Sequence, residues 1–196
     1  MHFAEVKILE SNVPSAEGRM LHELFQLVSV PVTYEQVMTR ASLAESLQRM
    51  ASLAAPMALH LSCHGDKNGF GLESGEFVRW YDFRQMLLPL NRASGGNLFV
   101  SMSSCKGLFG GGMAMHTDSP PFALLIGPAE NVTFADAAVG YAVFYYRLAK
   151  GAAARDALAA MIVATGEKNF DVISGDDTRS AVLAAITAAG IPTEGL

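Results

Sequence analysis

The chain has 196 residues, 51% of them hydrophobic and 17% charged, enough to bury one substantial core and close to the usual size of a single domain spanning 1–196. Its formal net charge of -5 and the lack of a basic cluster argue against direct nucleic-acid binding, which needs phosphate neutralisation. No apolar run reaches the roughly 18–20 residues of a membrane span, so no membrane partner is expected. The opening MHFAEVKILES lacks a basic segment followed by an apolar one, so the expectation is a cytoplasmic protein with Cys63 and Cys105 as reduced thiols.

Strand-like and helix-like segments then take turns along the sequence. AEVKILES predicts a strand, and SAEGRMLHELFQLV a helix, with Met20, Leu21, Leu24, Phe25 and Val28 at helical spacing. PVTYEQV predicts a short strand, and TRASLAESLQRMASL a helix capped by Thr39 or Ser42, with Leu43, Leu47 and Met50 on its inner side. MALHLSCHG is almost continuously apolar, as a parallel strand covered on both faces should be. GFGLESGEFVRW predicts a small hairpin, YDFRQMLLPLNR a helix with Pro89 at a kink or end, and NLFVSMSSC a second buried strand. PPFALLIGPAE predicts a further strand. FADAAVGYAVFYYRLAKG predicts a long helix closed by Gly151, on which Tyr141, Phe144, Tyr145 and Leu148 form a core stripe. AAARDALAAMIVATG, FDVISG and TRSAVLAAITAAG predict a helix, a last strand and a last helix. This alternation implies a doubly wound α/β fold with a mostly parallel sheet.

In such sheets ligands lie outside the carboxyl ends of the strands, and two of those ends carry reactive groups. His64 closes MALHLSCH and Cys105 closes NLFVSMSSC. If the two strands are neighbours, imidazole and thiol share one edge, where the histidine can take the thiol proton during attack. Glycine follows each, at Gly65 and Gly107, letting a substrate backbone approach and leaving amide N–H groups free to hold an oxyanion. SSCKG also has the small residues of a nucleophile elbow, but elbow enzymes place their histidine well after the nucleophile. Here the only later histidine, His116, is eleven residues on, too near to come from a later strand.

LHLSCHGD, GFGLESGEFVRWYDF, NLFVSMSSCKG and GYAVFYYRLAKGAAARDALAAM resemble the successive blocks of the CHAT domain, one of the caspase-like cysteine peptidases that include separase, metacaspases and gingipains. The resemblance covers roughly residues 55 to 165. It implies a caspase-like α/β sandwich with helices on both faces of a mostly parallel sheet. It further implies that Cys105 is the nucleophile, His64 the general acid/base, and the backbone amides of Gly65 and Cys105 the oxyanion hole, with neither metal nor other cofactor. The implied activity is a cysteine endopeptidase in bacterial signalling or defence, acting on a protein or peptide substrate; its activation is expected from outside, by an activating protein partner, by proteolysis or by oligomerisation. The alternative is a non-catalytic caspase-like interaction module using the same edge.

Other signals point elsewhere. Cys63 alternates with Leu59 and Leu61 and reads as core, while His60 and Ser62 share the face of His64 and could orient it. Cys63, His64, Cys105 and His116 lack any usual zinc spacing. DKNGFGLESGE puts Phe70 where a calcium loop needs an oxygen ligand. KGLFGGGMA lacks the Gly-Lys-Ser/Thr ending of a phosphate loop, so it implies flexibility beside Cys105. For the residue before the scissile bond, Asp66, Glu130 and Asp136 are the candidate pocket carboxylates for a basic preference, the choice favoured by the acidic composition; Arg79 or Arg147 would serve an acidic one. Thr133 and Asp136 also fit a helix start.

Overall fold

The computed structural model describes residues 5–11, 16–53 and 55–190; Ala4 and Ser15, at the edges of the first expected strand and helix, lie outside them. The central sheet has six strands: β1 (Glu5–Glu10), β2 (Val32–Gln36), β3 (Met57–Ser62), β7 (Phe99–Ser103), β8 (Leu124–Pro128) and β9 (Phe170–Ser174), in the order β2-β1-β3-β7-β8-β9. All neighbours are parallel except β8 and β9. Three short strands, β4 (His64–Asp66), β5 (Gly69–Gly71) and β6 (Phe77–Arg79), form a separate antiparallel meander, so β4 extends the expected hairpin to three strands.

Helices cover both faces of the sheet, as the near-continuous apolar strands require. On one face α2 (Arg40–Ala51) and α3 (Trp80–Ala93) bring Leu43, Leu47, Met50, Phe83 and Leu87 onto Leu59, Leu61, Val100 and Met102. On the other, α1 (Glu17–Leu27), α4 (Phe134–Ala149) and α5 (Ala154–Thr165) bring Leu21, Phe25, Tyr141, Phe144, Tyr145 and Met161 onto Val6, Ile8, Ala58 and Phe99. The aromatic stripe on α4 is core: Tyr141, Phe144 and Tyr145 are fully buried. Gly151, at φ 87°, closes α4 by donating its N–H to Leu148 O. A last helix, α6 (Gly175–Ala188), packs beside β9.

Both cap candidates act at α2. The Thr39 side chain accepts from the Ser42 N–H, and Ser42 Oγ accepts from the Thr39 N–H, a reciprocal capping box. Pro89 lies inside α3, not at its end. Its missing N–H would free the carbonyl of Gln85, and both residues face solvent, where water can take that acceptor.

The glycine-rich stretch after Cys105 departs from expectation. Residues Gly107–Ala114 form a 3-10 helix whose glycines serve close packing. A Cβ on Gly107 would sit 2.6 Å from Met102 O, and one on Gly111 2.3 Å from Ile173 Cδ1. Buried Arg84 of α3 holds the far end, donating from Nε to Met113 O at 3.0 Å and from its guanidinium to Asp118 and to Ser119 O.

Candidate active site

The register of β3 and β7 sets the site. Ser62 stands opposite Ser103 and the Cys63 N–H donates to Ser103 O at 3.1 Å. His64 and Cys105, each two residues further on, therefore leave the same carboxyl edge at the same level. His64 opens β4 and is exposed, while Cys105 is half-buried in the turn before the 3-10 helix. Gly65 presses against that turn: a Cβ there would lie 2.8 Å from Cys105 O and 2.8 Å from Ser104 Oγ. Only glycine lets β4 approach the backbone of Cys105 this closely.

The entry to α4 forms a wall common to both residues. The Cys105 Sγ–H donates to Val132 O at 3.6 Å, and the His64 ring meets the Phe134 ring edge-to-face, 5.4 Å between centroids. Lys106 adopts the left-handed region (φ 57°) and its N–H donates to Glu130 O at 3.0 Å, tying the cysteine turn to the same loop. The Cys105 N–H donates to no atom among the described residues, so it is free for a substrate oxygen. No hydrogen bond joins His64 to Cys105, the thiol being directed at Val132. Catalytic contacts are commonly loose before substrate binds.

Beneath the edge lies a buried polar cluster. Glu17, the first residue of α1, is 2% exposed. Its carboxylate accepts from Ser62 Oγ and, at 2.8 and 2.9 Å, from Ser103 Oγ. It thus ties together the last residues of the two strands that carry His64 and Cys105. His60 Nε2 lies 3.4 Å from Glu17 Oε1, both side chains fully buried, but at an angle that makes no hydrogen bond. The His60 ring packs edge-on against Tyr141 at 4.7 Å. His60 and Ser62 thus engage Glu17, while the ring neighbour of His64 is Phe134. Cys63 is fully buried in the opposite core, and burial pushes its thiol well up; it is not a nucleophile.

The three candidate pocket carboxylates occupy different settings. Asp66 Oδ1 accepts from the N–H groups of Asn68 and Gly69, at 2.6 and 3.2 Å, closing the β4–β5 turn. Thr133 Oγ1 accepts from the Asp136 N–H at 3.1 Å and donates to Asp136 Oδ2 at 2.6 Å, so Asp136 belongs to the α4 cap. Glu130 is exposed and lies in the loop whose backbone holds Lys106 and Cys105. Arg79 sits on β6, and Arg147 in the last turn of α4, at the far end of that helix from the site. No group of three or more His, Cys, Asp or Glu side chains is placed to hold a metal ion among the described residues.

Sequence reading missed Glu17, Val132 and Phe134. Glu17 has a signal: His60, Ser62, Ser101 and Ser103 alternate with apolar residues on one face of two buried strands, and such a stripe demands a polar partner. The other two act through a backbone carbonyl and a ring whose places depend on the tertiary fold alone. No described helix is long and apolar enough to cross a membrane. No protein-family model matches the sequence, and comparison with the curated proteins finds no match either.

Proposed function

We propose that the protein is a cysteine endopeptidase of the caspase-like, CHAT type, with Cys105 as nucleophile and His64 as general acid/base. The observation that carries this reading is the level emergence of the two residues from parallel neighbours β3 and β7, with Gly65 pressed on the Cys105 turn and the α4 entry touching both.

The chemistry follows from those placements. The imidazole takes the Cys105 proton as sulfur attacks the scissile carbonyl carbon, and the oxyanion is met by the N–H groups of Cys105 and Gly65. Collapse breaks the C–N bond, and the departing nitrogen takes the proton from the imidazolium. Water, deprotonated by His64, then attacks the thioester; the acid leaves and the thiol is restored. Glu130 belongs to the loop whose backbone holds the cysteine turn, and a basic side chain before the scissile bond would be its matching substrate group. A cytoplasmic place, a role in bacterial signalling or defence, and an activating protein partner belong to the same proposal.

Digestion of a peptide library tests this reading, with cleavage sites found by mass spectrometry for wild type and Cys105→Ala. Cleavages present only with the intact thiol and enriched in Arg or Lys before the bond are expected. A cleavage pattern that Cys105→Ala leaves unchanged would transfer the edge to the non-catalytic interaction module.

A further inference from the structure

The meander β4-β5-β6 has two unlike faces. Gly65, Phe70 and Val78 stand opposite one another and point inward; Phe70 and Val78 are fully buried, and the Phe70 ring lies 5.0 Å from that of Phe83. Side chains alternate along a strand, so the outer face carries His64 and Asp66 on β4 and Phe77 and Arg79 on β6, all exposed. Between them β5 offers only Gly69 and Gly71. The middle strand therefore puts no side chain of its own on this face: a Cβ at Gly71 would meet nothing within 4 Å, whereas one at Gly69 would lie 2.9 Å from Phe77 Cε1, the β6 ring leaning over the strand there. The result is a trough that starts at His64, is floored by Gly71 and is narrowed by Phe77 over Gly69.

Its other end opens into a cleft of about 770 Å³, whose walls include Asp66, Lys67, Phe77, Arg79 and Trp80. Trp80 Nε1 donates to Lys67 O at 3.1 Å, fixing the turn. Two cations, Lys67 and Arg79, stand here against one carboxylate, Asp66. Lys67 and Arg79 pair with no carboxylate among the described residues, whereas Asp66 is already engaged by the turn and Asp82 by Arg40 at 3.1 Å. A cationic cleft on a protein of net charge -5 is a local selector for negative charge.

Chemistry gives the trough a direction. The departing nitrogen takes its proton from His64, so the part of the substrate that follows the scissile bond leaves past the imidazole, towards β5 and β6. We propose that this trough is the leaving-group subsite and that Lys67 and Arg79 select an acidic residue downstream of the scissile bond; the proposal rests on the peptidase reading above. From His64 to Arg79 the path crosses two strand spacings and two residues of strand length, about 12 Å, or three to four extended residues. The acidic residue belongs at the third or fourth position after the bond.

Trp80 is the only tryptophan in the sequence, so its emission reports on the cleft without any need for turnover. The test titrates the whole protein with the product-like peptides Ala-Ala-Asp-Ala and Ala-Ala-Ala-Asp, and with their lysine counterparts. Saturable change with at least one aspartate peptide, about tenfold tighter than with lysine and weakened about tenfold in Lys67→Gln/Arg79→Gln, is the expected result. Equal response to both charges, silence of Trp80 throughout, or unchanged aspartate binding in the double variant would overturn it. A peptidyl acyloxymethyl ketone fills only the acyl side and separates this proposal from the one it rests on. Labelling of Cys105 without peptide binding overturns the trough alone. Peptide binding by a protein whose thiol no ketone labels overturns the leaving-group assignment.

Discussion

Glu17 sits where α1 begins and takes hydroxyl donors from the ends of both site-bearing strands. Two buried hydroxyls lose their acceptor if it is shortened, each at a cost of about 1–3 kcal/mol. Glu17→Ala is therefore expected to lower unfolding free energy by about 3 kcal/mol in urea titration, and Glu17→Gln, which keeps one acceptor oxygen, by clearly less. Equal stability of Glu17→Ala and wild type would show that the cluster holds nothing in place. The position also marks a limit of legibility. A glutamate in a first helical turn looks like ordinary dipole compensation, and its true partners, Ser62 and Ser103, are 45 and 86 residues away. The shared sheet edge of His64 and Cys105 was readable because each ends an apolar run and the two strands are neighbours, whereas the Val132 carbonyl leaves no trace in the sequence.

At the scale of elements, β4 and the 3-10 helix frame the cysteine turn from two sides. Gly65→Ala would drive a Cβ into the carbonyl of Cys105, 2.8 Å away, and backbone yields less readily than the end of a flexible side group. Ketone labelling of Cys105 is expected to fall at least tenfold in this variant, while far-ultraviolet circular dichroism stays that of wild type; undiminished labelling would mean that the close approach of β4 has no bearing on the thiol.

On the other side, the Arg84 guanidinium beside Asp118 holds that carboxyl below its ordinary value near 3.8. A lowered carboxyl contributes stability above the unfolded pKa and loses it as pH falls through the folded one. Asp118 is largely exposed, so its share is under about 1 kcal/mol. The urea midpoint difference between wild type and Asp118→Asn should be present at neutral pH and shrink away in acid, as pH falls through the lowered carboxyl's own titration; a gap that widens in acid would reverse the sign. The 3-10 helix itself escaped sequence reading because its glycines look like freedom, whereas Gly107, Gly110 and Gly111 are small so that β7, Trp80 and β9 can come close.

Across the whole molecule, strict alternation of strand and helix made the α/β class and the mostly parallel sheet legible, and consecutive site strands did prove to be neighbours. One reversal was also within reach. A single helix returns the backbone for a parallel strand, but α4 and α5 follow one another between β8 and β9, and the second brings it back to the carboxyl end, so β9 runs antiparallel. Strand order was less accessible, because β1 lies between β2 and β3 through packing that no local pattern encodes. The resulting architecture gathers an imidazole from one central strand end and a thiol from the next. The most direct trial of that pairing is labelling by peptidyl acyloxymethyl ketones carrying Arg, Lys, Asp or Asn at the reactive end, in wild type, Cys105→Ala and His64→Ala. Labelling abolished without Cys105, slowed about a hundredfold or more without His64, and strongest with Arg or Lys is the predicted result; a thiol that reacts equally fast in His64→Ala would contradict the dyad.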